Sequence, residues 1–504
     1  MGGRLQTSAS LSSHGRQVEL VCVVYTGTVH LVVGRRIGWV ALLLALALLS
    51  VFACSEPDRT PSTTTGVGGT GATGGHEVVV GGFGGSFEAE GPSPSYTTTY
   101  HVRPPGQDYG AGDGSSWTDA LSGIPEELER GARYLLSAGE FVEPGGGLEF
   151  DDAVAGEQYI GLEKATADDH GSDEGWEAML GEGAAYLGSI SIVTGYYVFD
   201  GKTGQGTEGY GFRLESQSCG EANAYVVAFP WNSEATHVAL RHMEMSLCGD
   251  RGYDGPSHDT IYSTQPLDHI WVERCYLHDA NRVHIMMVGW SNVVVRGNYI
   301  TRNGNQQETH SMVARSVQNL RIHGNVIEDS PSVFVVLYDS ANVEISSNLF
   351  LLTYDEGRGI YASVDGNEGN TNVGIHGNTF FELFGLNTGI RFRDGASGIE
   401  VYNNLWAGCR TNQIMLSGTH DHNAFFDNWR VEGSEYNLDE RIEEDHVQVL
   451  TADPFVNSAG HDLRLNAPTD PGTTLGSPYD IDLLGAPRGI DGTWDRGAYE
   501  YDAQ

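Results

Sequence analysis

Lysine is almost absent from this chain. Of 504 residues only Lys164 and Lys202 carry an ammonium side chain, and 28 Lys+Arg stand against 67 Asp+Glu for a formal net charge of −39. Nucleic-acid binding needs clustered cations that displace counterions from phosphate, so that class of partner is excluded. Cysteine is scarce too, with six residues and no CxxC pair or His-rich metal spacing. From about residue 236 onward no segment carries a helix-length apolar period. What is plentiful is glycine, 68 residues, as in turn-rich β proteins. The acidic balance suits an exported surface that must stay soluble, with calcium an admissible counter-ion.

At the N-terminus Arg35 and Arg36 precede the apolar run IGWVALLLALALLSVFAC, which ends at Cys54. A short basic region, an apolar core and small residues before a cut describe an export signal. Val51-Phe52-Ala53-Cys54 resembles a bacterial lipobox, which implies acylation of Cys54. Residues 1–53 are then a leader and 54–96 a lipidated flexible linker rich in Thr, Gly, Ser and Pro. The expected location is the bacterial outer membrane or cell surface, with the membrane reached through the lipid alone; ordinary secretion or a signal anchor is the plainer alternative. Loss of 1–53, with four Arg and one Glu, takes the net charge from −39 to −42. Export permits disulfides. Cys219 and Cys248 flank one segment and are the preferred pair, while Cys275 is expected as a buried free thiol.

Residues 97–504 read as one domain, a monomer. IPEELERGARYLL predicts a short capping helix over 125–133, with Pro125 at its start and Glu126 and Glu127 in its first turn. Beyond it a template returns: NVVVRGNYI at 292–300, NLRIHGNVI at 319–327, NVEISSNLF at 342–350, NVGIHGNTF at 372–380 and GIEVYNNLW at 398–406. Counted at its second Asn or stand-in, the series Cys275, Asn298, Asn325, Asn348, Asn378, Asn404 steps by 23, 27, 23, 30 and 26 residues. Periods of this length mark a repeat architecture. Apolar pairs two apart, such as Val293/Val295 and Leu320/Ile322, are strand alternation with one buried face. Each unit is therefore one coil of two or three short strands, and stacked coils pair in parallel. The recurring second Asn is expected at a tight left-handed corner, stacked into an internal ladder.

These repeats, the opening YHVRPPGQDYGAGDGSSW and the closing RGIDGTWDRGAYEYD resemble the secreted right-handed parallel β-helix proteins of the pectate-lyase-like superfamily. The resemblance implies an all-β solenoid. It further implies a surface-tethered carbohydrate-active protein, a polysaccharide lyase (or glycoside hydrolase) acting on uronate-containing glycan. A non-catalytic glycan-binding or structural envelope lipoprotein is the alternative. The paired Asp and Gly-His-Gly signatures of polygalacturonases are absent. HIWVERCYLHD at 269–279 has Glu273 where a pectate-lyase calcium ligand would stand, without the basic catalytic motif after it.

In that superfamily the site lies outside the strand preceding the Asn-bearing one. Counting back four places from each repeat reaches Val288, Arg315 and Tyr338, with Arg393 equivalent; six back, Met286, Val313, Val336 and Arg391; eight back, His284, Ser311 and Phe334. All are expected outward, with Ile285, Met287, Met312, Ala314, Val335 and Leu337 inward. His284, Arg315, Tyr338 and Arg393 form the candidate catalytic set: Arg neutralises a substrate carboxylate, and His or Tyr moves the proton. Arg282, His310, Arg358, Tyr361 and Arg391 are candidate substrate contacts, with His278, Asp279, Glu308 and Asp355 around them. The competing reading is a sheet whose Arg and Tyr stems cover apolar surface while acids neutralise them. Asp259, Asp279 and Glu273 are the calcium candidates, with solvated acid the plainer reading. Glu273/Arg296 and Arg321/Glu344 are expected as cross-strand pairs. His323 and His376 share a column split by Ser346, and THDHN at 419–423 is read as a turn, so no metal site is expected.

Overall fold

The computed structural model describes residues 5–13, 16–25, 28–32, 91–216, 224–247, 258–303, 309–353, 362–414, 416–429, 438–439, 442–476 and 479–502. Two units divide the chain at Gly74/Gly75. The first contains three antiparallel strands, Leu5–Ser13, Arg16–Tyr25 and Thr28–Val32. Cys54, Cys219 and Cys248 lie outside the described residues, so the lipid anchor and the disulfide do too.

The second unit is a parallel β-helix of three sheets. In a typical coil Ser291–Arg296 lies in the first sheet, Tyr299–Thr301 in the second and His310–Arg315 in the third. The first sheet runs through thirteen strands, from Leu121–Ser122 and Thr98–Arg103 at one end to Thr419–Asp421 at the other. Strands of the second sheet are three residues long from Tyr276–His278 onward, because each corner claims the residues beside it. At the N-terminal end one strand, Ala185–Ile192, serves both: Ala185 and Tyr186 pair in the second sheet, Ser189 to Ile192 in the third. Gly188, at φ 64°, turns it between them.

The corner between first and second sheets explains the template. Its left-handed residue is the one before the second Asn: Arg274, Gly297, Gly324, Ser347, Gly377, Asn403 and His422 all have positive φ. This corrects the expectation that the second Asn itself adopts that conformation. The second Asn is instead the buried rung of a ladder. Asn325 donates its backbone N–H and Nδ2 to Asn348 Oδ1, both at 2.9 Å, and its other Nδ2 hydrogen to the Val295 carbonyl of the preceding coil, also at 2.9 Å. The same arrangement repeats at Asn298, Asn348, Asn378 and Asn404. Cys275 opens the column through its N–H (2.8 Å to Asn298 Oδ1) as a buried free thiol. Asn423 extends it past the expected end, and the Glu444 carboxylate closes it at 2.7 Å from Asn423 Nδ2. The template's first Asn makes a second, exposed ladder: Asn292, Asn319, Asn342 and Asn372 are themselves left-handed and bond side chain to side chain.

Inside the coils the expected set, Ile285, Met287, Met312, Ala314, Val335 and Leu337, is buried in one core. The second sheet contributes a ring stack through matched positions, Phe350, Phe380, Trp406 and Phe425, with centroids 5.0, 4.7 and 5.4 Å apart. Such pairs add about 0.5–1.5 kcal/mol each beyond the area they bury.

The helix expected over 125–133 does not form. Ala132–Leu136 is a strand between Thr98–Arg103 and Ile160–Lys164, and the residues before it are turns. Tertiary bonds override the local propensity. The Leu128 N–H is taken by Asp152, Gly131 is left-handed at φ 82°, and Arg130 donates to the carbonyls of Asp152, Ala153, Gly195 and Tyr196. Among the described residues of this unit the α-helical turn is Ala178–Gly181. Fully buried Lys164 holds its end, donating to the Leu180 and Gly181 carbonyls; burial alone brings its pKa down to about 8.

Candidate functional site

The third sheet presents the candidate face, and its register is set by the strand pairing. Val288 pairs with Arg315 and Arg315 with Tyr338. The next two pairings, Gly366 with Leu337 and with Phe392, place Asn367 and then Arg393 in line. Arg315, Tyr338 and Arg393 thus share one outward column, with Asn367 between the last two. Beside it run Tyr262, Met286, Val313, Val336, Asp365 and Arg391.

His284 does not join them. Val283 and Met286 both belong to the outer cluster with Val313, Val333, Val336 and Tyr338, so the two residues between them, His284 and Ile285, both turn inward. His284 is 0% exposed. Its Nδ1 accepts from Thr260 Oγ1 at 3.0 Å and its Nε2 donates to the Thr301 carbonyl at 2.9 Å. Burial brings its pKa down to about 3, so it is a neutral core group that no substrate reaches. Ser311 and Phe334, at the same level, are buried as well, with Phe334 ring to ring against Phe350 at 5.3 Å. The outward placement expected for all three is corrected by this break in alternation.

The remaining charges differ in how they are partnered. Arg282 is bidentate on Asp259, with one contact at 2.9 Å. Arg391 is bidentate on Asp365 at 3.1 and 2.5 Å, and Arg393 lies 3.9 Å from the same carboxylate. Arg315 is exposed, and among the described residues its partner is an aromatic face rather than a carboxylate: the guanidinium carbon sits 4.7 Å from the Tyr338 ring centroid. Tyr225 and Tyr262 stack at 4.1 Å near the other end of the face. His310 is outward but half-buried, and burial brings its pKa down to about 4. Glu308, Asp355, Arg358 and Tyr361 lie outside the described residues.

His278 and Asp279 stand at the corner between second and third sheets. His278 bonds Asp279 at 2.6 Å and Glu244 at 3.4 Å, and Arg302 is bidentate on Asp279 at 2.7 and 2.8 Å. Burial alone would lower the His278 pKa, but the two carboxylates carry it upward. The three calcium candidates are all occupied by guanidinium: Asp259 by Arg282, Asp279 by Arg302, and Glu273 by Arg241 and Arg296, both at 2.7 Å. Arg321 and Glu344 pair across strands at 3.0 Å.

Glu273 belongs to a longer line, of which sequence counting finds only the pair Glu273/Arg296 and, separately, the column His323, Ser346 and His376. Glu163, Asp200, Arg241, Glu273, Arg296, His323, Ser346 and His376 are matched positions on successive strands of the first sheet, all nine-tenths buried or more. The terminal segments supply contacts along this line, with Arg241 donating to the Pro92 carbonyl and the Tyr479 ring lying edge-on to His376 at 4.7 Å. The available signal was the shared polar position two places before each second Asn.

A β-helix of this architecture defines the class, and comparison agrees. The family model described as right handed beta helix region matches residues 251–380. In fold, the chain is a right-handed parallel β-helix. Solved structures similar to it include a pectate lyase (15% identity, 81% of this chain and 98% of that one, TM-score 0.46). A lacto-N-biosidase from Eubacterium ramulus follows (12%, 70% and 68%, TM-score 0.35), as does a polygalacturonase from Erwinia carotovora ssp. carotovora (10%, 72% and 100%, TM-score 0.33). At these identities the likeness is one of fold. No curated protein matches the sequence.

Proposed function

We propose that the outer face of the third sheet binds an anionic glycan. The observation that carries this reading is Arg315, an exposed guanidinium held on an aromatic ring and left without a carboxylate among the described residues, in a chain of net charge −39. A guanidinium matches a uronate carboxylate in bidentate fashion, and a tyrosine face beside it suits a sugar ring. Arg393 extends the column two coils on. Coils about 4.8 Å apart space these groups on the scale of successive sugar units.

Catalysis by β-elimination asks for more: a group that takes the proton α to the carboxylate. With His284 sealed in the core, the reading of this chain as a uronate lyase rests on Arg315 or Arg393 as the carboxylate partner and on Tyr338 or His310 to move the proton. Binding alone needs no such group, so a glycan-binding protein is the reading the geometry supports better. The lipid anchor at Cys54 belongs to the same proposal, holding the domain at the cell surface.

Polygalacturonate is the probe for the site. Arg315→Ala should weaken its binding at least tenfold, with the melting temperature nearly unchanged because the side chain is exposed, and added salt should weaken wild-type binding. Unchanged binding in Arg315→Ala would sink the proposal. Ultraviolet-absorbing unsaturated products from the wild type, lost in the variant, would move the assignment to a lyase. Labelled fatty acid entering the wild type but not Cys54→Ala would establish the anchor; equal labelling would remove it.

A further inference from the structure

The first sheet ends in a cluster separate from the glycan-binding face. Asp421 is the last residue of its final strand, His422 is the left-handed corner residue that follows, and His446 arrives from the next turn. One ligand atom from each of the three lies within 4.8 Å of the other two. Asp421 Oδ1 accepts the backbone N–H groups of both His422 and His446, each at 2.8 Å, which leaves Oδ2 turned to the imidazoles. His446 Nδ1–H donates to Oδ2 at 2.8 Å, a proton that a metal ion would displace, and His422 Nε2 is 3.8 Å from the same oxygen. The His422 Nδ1 faces the Pro471 carbonyl at 3.3 Å. A carbonyl only accepts, so Nδ1 carries a proton, and in the neutral ring Nε2 then presents a lone pair to the carboxylate oxygen. Two acceptors facing each other at that distance leave room for a cation between them.

The geometry points to a divalent transition-metal site formed by Asp421, His422 and His446. Two imidazole nitrogens and one carboxylate oxygen suit a borderline ion such as Zn2+, whereas calcium takes six to eight oxygens. Ligands at Zn distances of about 2.0–2.1 Å sit about 3.4 Å apart around a tetrahedral ion. The His422 and His446 rings stack at 4.3 Å with planes 8° apart, so the exposed His446 ring must turn out of the stack to bring its nitrogen to a shared ion. The surroundings are fixed as an outer shell requires. Buried Arg496 donates to the carbonyls of His446 (2.9 Å), Asn423 (3.0 Å) and Pro471 (3.0 Å), tying together the ligand segments and the carbonyl that orients His422. Glu444, next to the cluster, is committed to Asn423 and His420 and stays outside the ligand set. Solvent can fill the fourth position, since His446 is exposed. A bound ion would pin the last coil to the turn at 446, against the carboxyl-terminal tail.

Zn2+ titrated calorimetrically into EDTA-stripped protein should bind at one ion per chain and raise the melting temperature. His446→Gln, on an exposed side chain, and His422→Asn, which keeps a residue tolerant of positive φ, should each weaken that binding at least tenfold while the metal-free melting temperature stays close to the wild-type value. Absence of saturable binding at one ion per chain, or undiminished affinity in both variants, would overturn the site.

Discussion

Two asparagines in each repeat look alike in sequence and do opposite physical work. Asn348 is buried and accepts two hydrogens from Asn325 while donating to Asn378 and to the Ile322 carbonyl. Asn342 is exposed and left-handed at φ 54°. Asn348→Ala strands the Asn325 donors inside the protein, which costs about 1–3 kcal/mol. Asn342→Gly keeps the backbone geometry and loses a solvated contact, so its effect stays within about 0.5 kcal/mol. Urea unfolding of the two variants separates the roles: equal losses would mean the buried ladder is not what stabilises the corner. The sequence pattern located the buried ladder and not the exposed one, and it assigned the left-handed backbone to the buried rung, because Asn tolerates that conformation and also satisfies buried backbone groups.

At the scale of single elements, legibility followed range. Alternation predicted the inward faces of the third-sheet strands, since it is a local property of an extended chain. It failed at His284, where two successive residues turn inward and counting by twos lands on the wrong side. The helix expected over 125–133 failed for the opposite reason: its local signals were sound, and partners more than twenty residues away removed it. Arg130 is the centre of that network and also lies 4.7 Å over the Tyr197 ring. Arg130→Gln should release residues 124–131 from the carbonyls of Asp152, Ala153, Gly195 and Tyr196 at a cost of about 2 kcal/mol or more. Limited proteolysis should then cut this segment well before the rest of the β-helix. A variant as protease-resistant as the wild type would show that Pro125, Gly131 and the Asp152 bond hold the turn without it. The Glu444 stop of the ladder was equally unreadable, because nothing in its neighbourhood repeats.

The whole molecule carries a stability signature that comes from stacking. Coils that bury matched columns also bury imidazoles: His284 and His323 have pKa values brought down to about 3, and His310 and His376 to about 4, each chiefly by burial. In the unfolded chain the same groups titrate near 6.5. Between these limits the unfolded state binds more protons than the folded one, so stability falls as pH drops below about 6.5, by up to about 1.4 kcal/mol per pH unit for each histidine. Carboxylates whose pKa is raised on folding, Asp259, Asp482, Asp495 and Glu500, act in the opposite sense. His278, raised by its carboxylate partners, does so too. A difference measurement isolates the buried set. His284→Gln, whose amide can reach the Thr301 carbonyl, should lose stability at pH 7.5 through imperfect packing yet show a shallower decline from pH 6.5 to 4.5, by about one proton's worth. Urea midpoints across that range give the slope directly. A variant whose slope parallels the wild type would mean His284 is protonated in the folded core, and the neutral assignment that removes it from the glycan face would fall with it.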